Sequence, residues 1–180
     1  MKNKITIGIL MFGALNVFGQ NADKYAGCCG AEPYEYIHSD MNIFVPNAFT
    51  PNKDGANDLF FPHINGKVEE VIDFRILADE GEDILYYRPT IVYKNIENYG
   101  WNGFDEDGKA YIGAFRYTMK IVNQKGETKY IEGGACRLDC DAAAEMLKSK
   151  GGCFFPEQAG DGENVGKVDK TKPNKEKKCG

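Results

Sequence analysis

Apolar residues recur at every second position in two stretches, 71–78 and 114–122. In "AFRYTMKIV" (114–122), Phe115, Tyr117, Met119 and Ile121 alternate with Arg116, Thr118 and Lys120. Successive side chains of a strand point to opposite faces, so this pattern predicts a half-buried β-strand. "NQKG" then turns the chain into "ETKYIEG", which predicts a hairpin. "VIDFRILA" (71–78) alternates likewise, with Ile72, Phe74 and Ile76 expected on one face against Asp73 and Arg75 on the other. The acidic, glycine-containing "DEGED" reads as a turn. "ILYY" and, beyond Pro89, "TIVYK" are rich in β-branched and aromatic residues and predict two further strands. "NIFVPNAF" (42–49) is apolar but holds Pro46, which cannot donate to a ladder, so an edge strand or a bulge is expected there. Short strands parted by turns, with no helical period before residue 140, predict an all-β antiparallel sandwich.

The two ends have a different texture. Residues 1–19 place Lys2 and Lys4 before an apolar run from Ile5 to Phe18, the layout of a secretory signal peptide. Membrane anchoring by this run, and lipidation at Cys28, are the alternatives. Residues 20–40 lack a sustained period and are expected to form an extended arm tied down through Cys28 and Cys29. In 136–156, "DAAAEMLKSKGG" has an aspartate to cap it, helix formers and terminal glycines, so a short helix is expected between Cys140 and Cys153. Residues 157–180 are charged and almost devoid of apolar groups, which predicts a disordered tail.

Six cysteines, Cys28, Cys29, Cys136, Cys140, Cys153 and Cys179, are read as disulfide partners in an oxidising compartment, with the pairing left open. Zinc held among Cys136, Cys140 and Cys153 is the rival reading, against which the spacing argues. The net charge of −5 becomes more negative once Lys2 and Lys4 are removed, which disfavours nucleic acid as a partner. His38 and His63 are the only histidines, and neither lies in a nucleophile motif. Asp105 and Asp107 share one turn, where solvated or metal-ligating acids are commoner than a glycosidase pair. A non-catalytic protein is expected.

Three stretches in order, "IFVPNAFTPNKDGANDLF" (43–60), "FRILADEGEDILY" (74–86) and "GWNGFDEDGKAYIGAFRYTMKIVNQKGETKYIEGG" (100–134), carry a family resemblance. Together they resemble the gliding-motility-associated C-terminal domain, the type B sorting domain that Bacteroidetes use in type IX secretion. "ADEG" (78–81) stands where that family has an Asn-Arg-Trp-Gly turn, and about 45 residues follow where the family domain ends its chain. The resemblance covers about residues 41–135 and implies an immunoglobulin-like sandwich acting as a sorting and surface-attachment module. The implied partners are the type IX machinery or a component of the cell envelope. The implied location is the cell surface or the extracellular space, with the periplasm as the alternative, and no membrane-spanning segment is expected in the mature chain. A stand-alone calcium-stabilised adhesin, or a carbohydrate- or protein-binding envelope module, is the alternative function.

"NKDGAND" gathers side-chain oxygens from Asn52, Asp54, Asn57 and Asp58 around Gly55. Calcium takes six to eight such oxygens, so a calcium-stapled loop is expected, with Asn102, Asp105 and Asp107 as further donors and magnesium the weaker candidate. The same dipeptides also make metal-free turns, because Asn and Asp hydrogen-bond nearby backbone. Trp101, flanked by Tyr99 and glycines, is either a platform for a sugar ring or a plug in the core.

Overall fold

A computed structural model describes residues 25–139 and 152–176, apart from 26, 31, 39 and 40. The expected signal peptide (1–19), the helix within 141–151, Cys140 and Cys179 lie outside these residues. Eight strands are described: β1 (Tyr34–His38), β2 (Met41–Val45), β3 (Ala48–Phe49), β4 (His63–Ile64), β5 (Val68–Ala78), β6 (Ile84–Val92), β7 (Gly113–Asn123) and β8 (Thr128–Arg137). They form two sheets, β1-β2-β4 and β3-β8-β7-β5-β6. Every pairing is antiparallel except β3 with β8. Among the described residues, no helix is long and apolar enough to cross a membrane.

The break between β2 and β3 falls at Pro46–Asn47. Proline removes a ladder donor. The chain leaves the first sheet there and enters the second, where Ala48 aligns with Cys136 and Phe49 with Arg137. The single apolar run "NIFVPNAF" is therefore two strands in two sheets.

β7 keeps the alternation expected of it: Phe115, Tyr117, Met119 and Ile121 are buried, and Ile131 of β8 joins them. β5 departs from expectation. Val71, Phe74 and Ile76 are buried, while Ile72 is only half-buried. Asp73 has a positive φ of 58°, and its register with β7 slips between Ile72 and Arg75. This bulge turns Ile72 to the opposite face from Phe74. The two strands expected on either side of Pro89 are one continuous β6. It pairs only with β5, and an edge strand can carry the missing N–H. The arm of residues 20–40 contributes β1, which pairs with β2 along its full length.

Between the sheets Phe49, Phe60, Trp101 and Phe115 pack ring against ring at centroid distances of 4.8–6.0 Å. Aromatic pairs in tilted or edge-on arrangements add to the burial of their area. A smaller apolar cluster at one end contains Cys28, Cys29, Ala48, Cys136, Leu138 and Phe155. Two disulfides run through it, Cys28–Cys136 and Cys29–Cys153. They close loops with sequence separations of 108 and 124, long enough to restrict the unfolded chain strongly.

Residues 157–176, expected to be disordered, are packed against the two sheets with 3₁₀ turns at Pro156–Gln158 and Gly162–Asn164. Their apolar content is low, but the segment is held at its start by Cys29–Cys153 and by buried Phe155. Hydrogen bonds then extend along it, from Gln158 to Asp169 and Lys172, and from Val168 to Glu35. Composition alone does not register a covalent tether of this kind.

Gly133 of β8 has no room for a side chain, since a Cβ there would lie 2.4 Å from the hydroxyl oxygen of buried Tyr117. Gly133→Ala is expected to cost about 1–3 kcal/mol through overpacking. Urea unfolding should show a lower midpoint at unchanged slope.

Candidate functional site

The loop joining β3 to β4 begins at buried Thr50, whose N–H donates to the Asn57 carbonyl at 3.0 Å and closes the loop upon itself. Within it most of the expected ligand oxygens accept from backbone N–H groups. Asn52 Oδ1 accepts from the Asp54 N–H at 3.0 Å, and Asp54 Oδ1 from Ala56 at 2.9 Å. Asp58 accepts from Lys53 at 2.5 Å through Oδ1 and from Gly55 at 2.8 Å through Oδ2. These bonds hold Lys53, Gly55 and Asn57 at φ values of 65°, 87° and 56°. Asn tolerates this left-handed region better than most residues and Gly adopts it freely, whereas Lys53 is carried into it by its neighbours.

Asn57 faces the other way, toward the C-terminal segment. Its Oδ1 accepts from the Glu157 N–H at 3.1 Å, and its Nδ2 donates to the Asn174 carbonyl at 2.8 Å and to Glu176 Oε2 at 2.9 Å. The Glu176 carboxylate also accepts from Thr50 Oγ1 at 2.5 Å and from Asn52 Nδ2 at 3.2 Å. Asn47, at the point where the chain changes sheets, grips the start of the same segment. Its side chain accepts from the Phe154 N–H at 2.6 Å and donates to the Gly152 carbonyl at 2.7 Å. Asn47, Thr50, Asn52 and Asn57 thus form a receiving edge for a strap made of residues 152–176.

Burial raises the Glu176 carboxyl; its hydrogen bonds from Thr50 and Asn57 oppose this, and Asp54 and Asp58 add to the rise. Nothing in the composition of 157–180 singled Glu176 out. The trace that could have found it is the "NKE" step, an acid following an asparagine that can bond the N–H two residues on; Asn174 Oδ1 accepts from the Glu176 N–H at 3.0 Å.

The second expected donor group also binds its own turn. Asn102 Oδ1 accepts from Phe104 at 3.3 Å, Asp105 Oδ1 accepts from Lys109 at 2.8 Å, and Asp107 is exposed. The two loops meet where the side chain of Pro51 lies against Gly103: a Cβ on Gly103 would lie 3.0 Å from the Pro51 ring and 3.1 Å from Nε of Arg137. Arg137 is buried there and pairs with Asp139. Calcium needs a ring of free oxygens. As arranged, both Asp58 oxygens already accept backbone N–H groups, while Asp54 Oδ2 has no hydrogen-bond partner. Among the described residues, no group of three His, Cys, Asp or Glu side chains is placed to hold a metal.

Trp101 is fully buried, and its indole N–H donates to the Phe104 carbonyl at 2.7 Å. It offers no ring face to a sugar; flanking glycines suggested exposure, but the ring fills the space between Phe49 and Phe115. His63 packs between Phe44 and Phe61, with centroids at 5.6 and 4.6 Å, and its Nε2 is buried without a partner. It lines one side of an open groove of about 930 Å³ between residues 58–64, residues 93–98 and the strap.

No protein-family model matches the chain, and comparison with curated proteins and with solved structures finds no similar one.

Burial lowers the His63 imidazole from 6.5 to about 4, with the charge of Lys172 acting in the same direction. A depressed imidazole favours the neutral form, so its contribution to stability is complete above pH 6.5 and is lost as pH falls from 6.5 through 4. The loss should be on the order of 3 kcal/mol. Urea titrations across that window should show it in the wild type, and His63→Phe should remove this limb of the pH profile.

Proposed function

We propose that this chain is a non-catalytic, exported attachment module of the cell surface, resembling a type IX secretion sorting domain. The observation that carries the reading is the use made of the polar cluster at 47–58. Its side chains serve the loop and the strap instead of converging on a cleft where a substrate would react. An immunoglobulin-like arrangement is in keeping with the early strand that changes sheets and then pairs in parallel with β8. Two disulfides suit an oxidising compartment. Surface attachment asks for a scaffold that stays folded outside the cell, and long-range cross-links with an aromatic core provide that.

The test is to express the full chain with a reporter joined to it, in cells with an intact or a disabled type IX apparatus. Surface display only with the intact apparatus is the expected result. Equal display in both would refute the sorting role.

A second reading is a calcium-stabilised adhesin or carbohydrate- or protein-binding module of the envelope. Asp54 favours it: Oδ2 is buried with no hydrogen-bond partner, near enough to Glu176 for their charges to repel. A cation admitted by a rearranged Asp58 would relieve that repulsion. Calcium is then expected to raise the melting temperature of the wild type but not of Asp54→Asn. Superimposable wild-type curves in calcium and in chelator would end this reading.

A further inference from the structure

We propose that Thr50, Asn52 and Asn57 form a docking notch for a short peptide of a partner protein that presents a single glutamate carboxylate, and that Asn174, Lys175 and Glu176 of the same chain fill this notch when the partner is absent. The proposal is independent of the route of export.

The chemistry of the notch defines its ligand. Three uncharged donors converge on one carboxylate, and two of them, Thr50 and Asn57, are almost completely buried, at 0% and 3% exposure. Neutral donors bind a carboxylate without requiring a paired charge of their own. Asn57 Nδ2 also donates to the carbonyl two residues before the acid, so the notch reads main chain and side chain of one tripeptide together. Glu157 pairs with Lys175 at 2.7 Å at the rim. The ligand class is therefore a turn in which a basic residue precedes a glutamate.

The resident segment is a strained ligand. Lys175 sits at φ 54°, a left-handed region that non-glycine residues enter only at a cost. Asp54 and Asp58 stand beside the carboxylate and repel it. The strap does not depend on this end, because it is held separately by Cys29–Cys153, by Asn47 and by the bonds of Gln158. The last three described residues can leave while the remainder stays in place. Tethering gives them an effective concentration on the order of millimolar, which excludes weaker free peptides until the latch is opened.

The probe is a fluorescent, end-blocked peptide of sequence Pro-Asn-Lys-Glu-Lys, matching residues 173–177, titrated into the full chain and read by anisotropy. Glu176→Ala is expected to bind it saturably and at least tenfold more tightly than the wild type. The same peptide with glutamine in place of glutamate should lose at least tenfold against Glu176→Ala. Either absence of saturable binding to Glu176→Ala or equal binding of the glutamine peptide overturns the proposal. Should Glu176→Ala fail to fold, excess glutamate peptide added to the wild type should speed tryptic cleavage within the strap severalfold. Cleavage at an unchanged rate there would also overturn it.

Discussion

Two buried amides, Asn47 at the crossing between sheets and Asn57 in the loop that follows, set the terms for this molecule. Asn47 and Asn57 are 3% exposed each, and a buried amide without partners costs several times what a hydrogen bond contributes. Neither finds all its partners within the sandwich. Gly152, Phe154, Glu157, Asn174 and Glu176 provide them, all from the C-terminal segment. The sandwich is thus completed by a strap more than 90 residues away in sequence. The Cys29–Cys153 bridge holds the strap where those bonds can form.

The same loop shows how a polar cluster can organise backbone. Asn52 Oδ1, Asp54 Oδ1 and both carboxylate oxygens of Asp58 accept from N–H groups of residues 53–56. These are the donors a tight bend would otherwise leave unpaired. What the loop leaves over is donor capacity, on Thr50, Asn52 and Asn57, and that capacity meets a carboxylate.

His63 belongs to a different part of the balance. Its ring fills a slot between two phenylalanines and gives up a hydrogen bond at Nε2, so its neutrality is a condition of the packing. Lys172 of the strap adds its charge to the same demand. Strap and sandwich are therefore coupled both at the loop and at the groove.

The sequence by itself determined the strand character of 71–78 and 114–133 and the hairpin at 123–126, because alternation and turn chemistry are local and act within a few residues, and it marked Cys28, Cys29, Cys136 and Cys153 as disulfide partners. It also marked residues 47–58 as a polar bend. The tertiary structure alone decided the bulge at Asp73, which moves Ile72 to the other face, and the burial of Trp101, since each depends on what packs opposite. It likewise decided the ordering of residues 157–176. A segment with few apolar groups is ordered by a disulfide and by buried amides it satisfies, and both are properties of distant residues that no local pattern records.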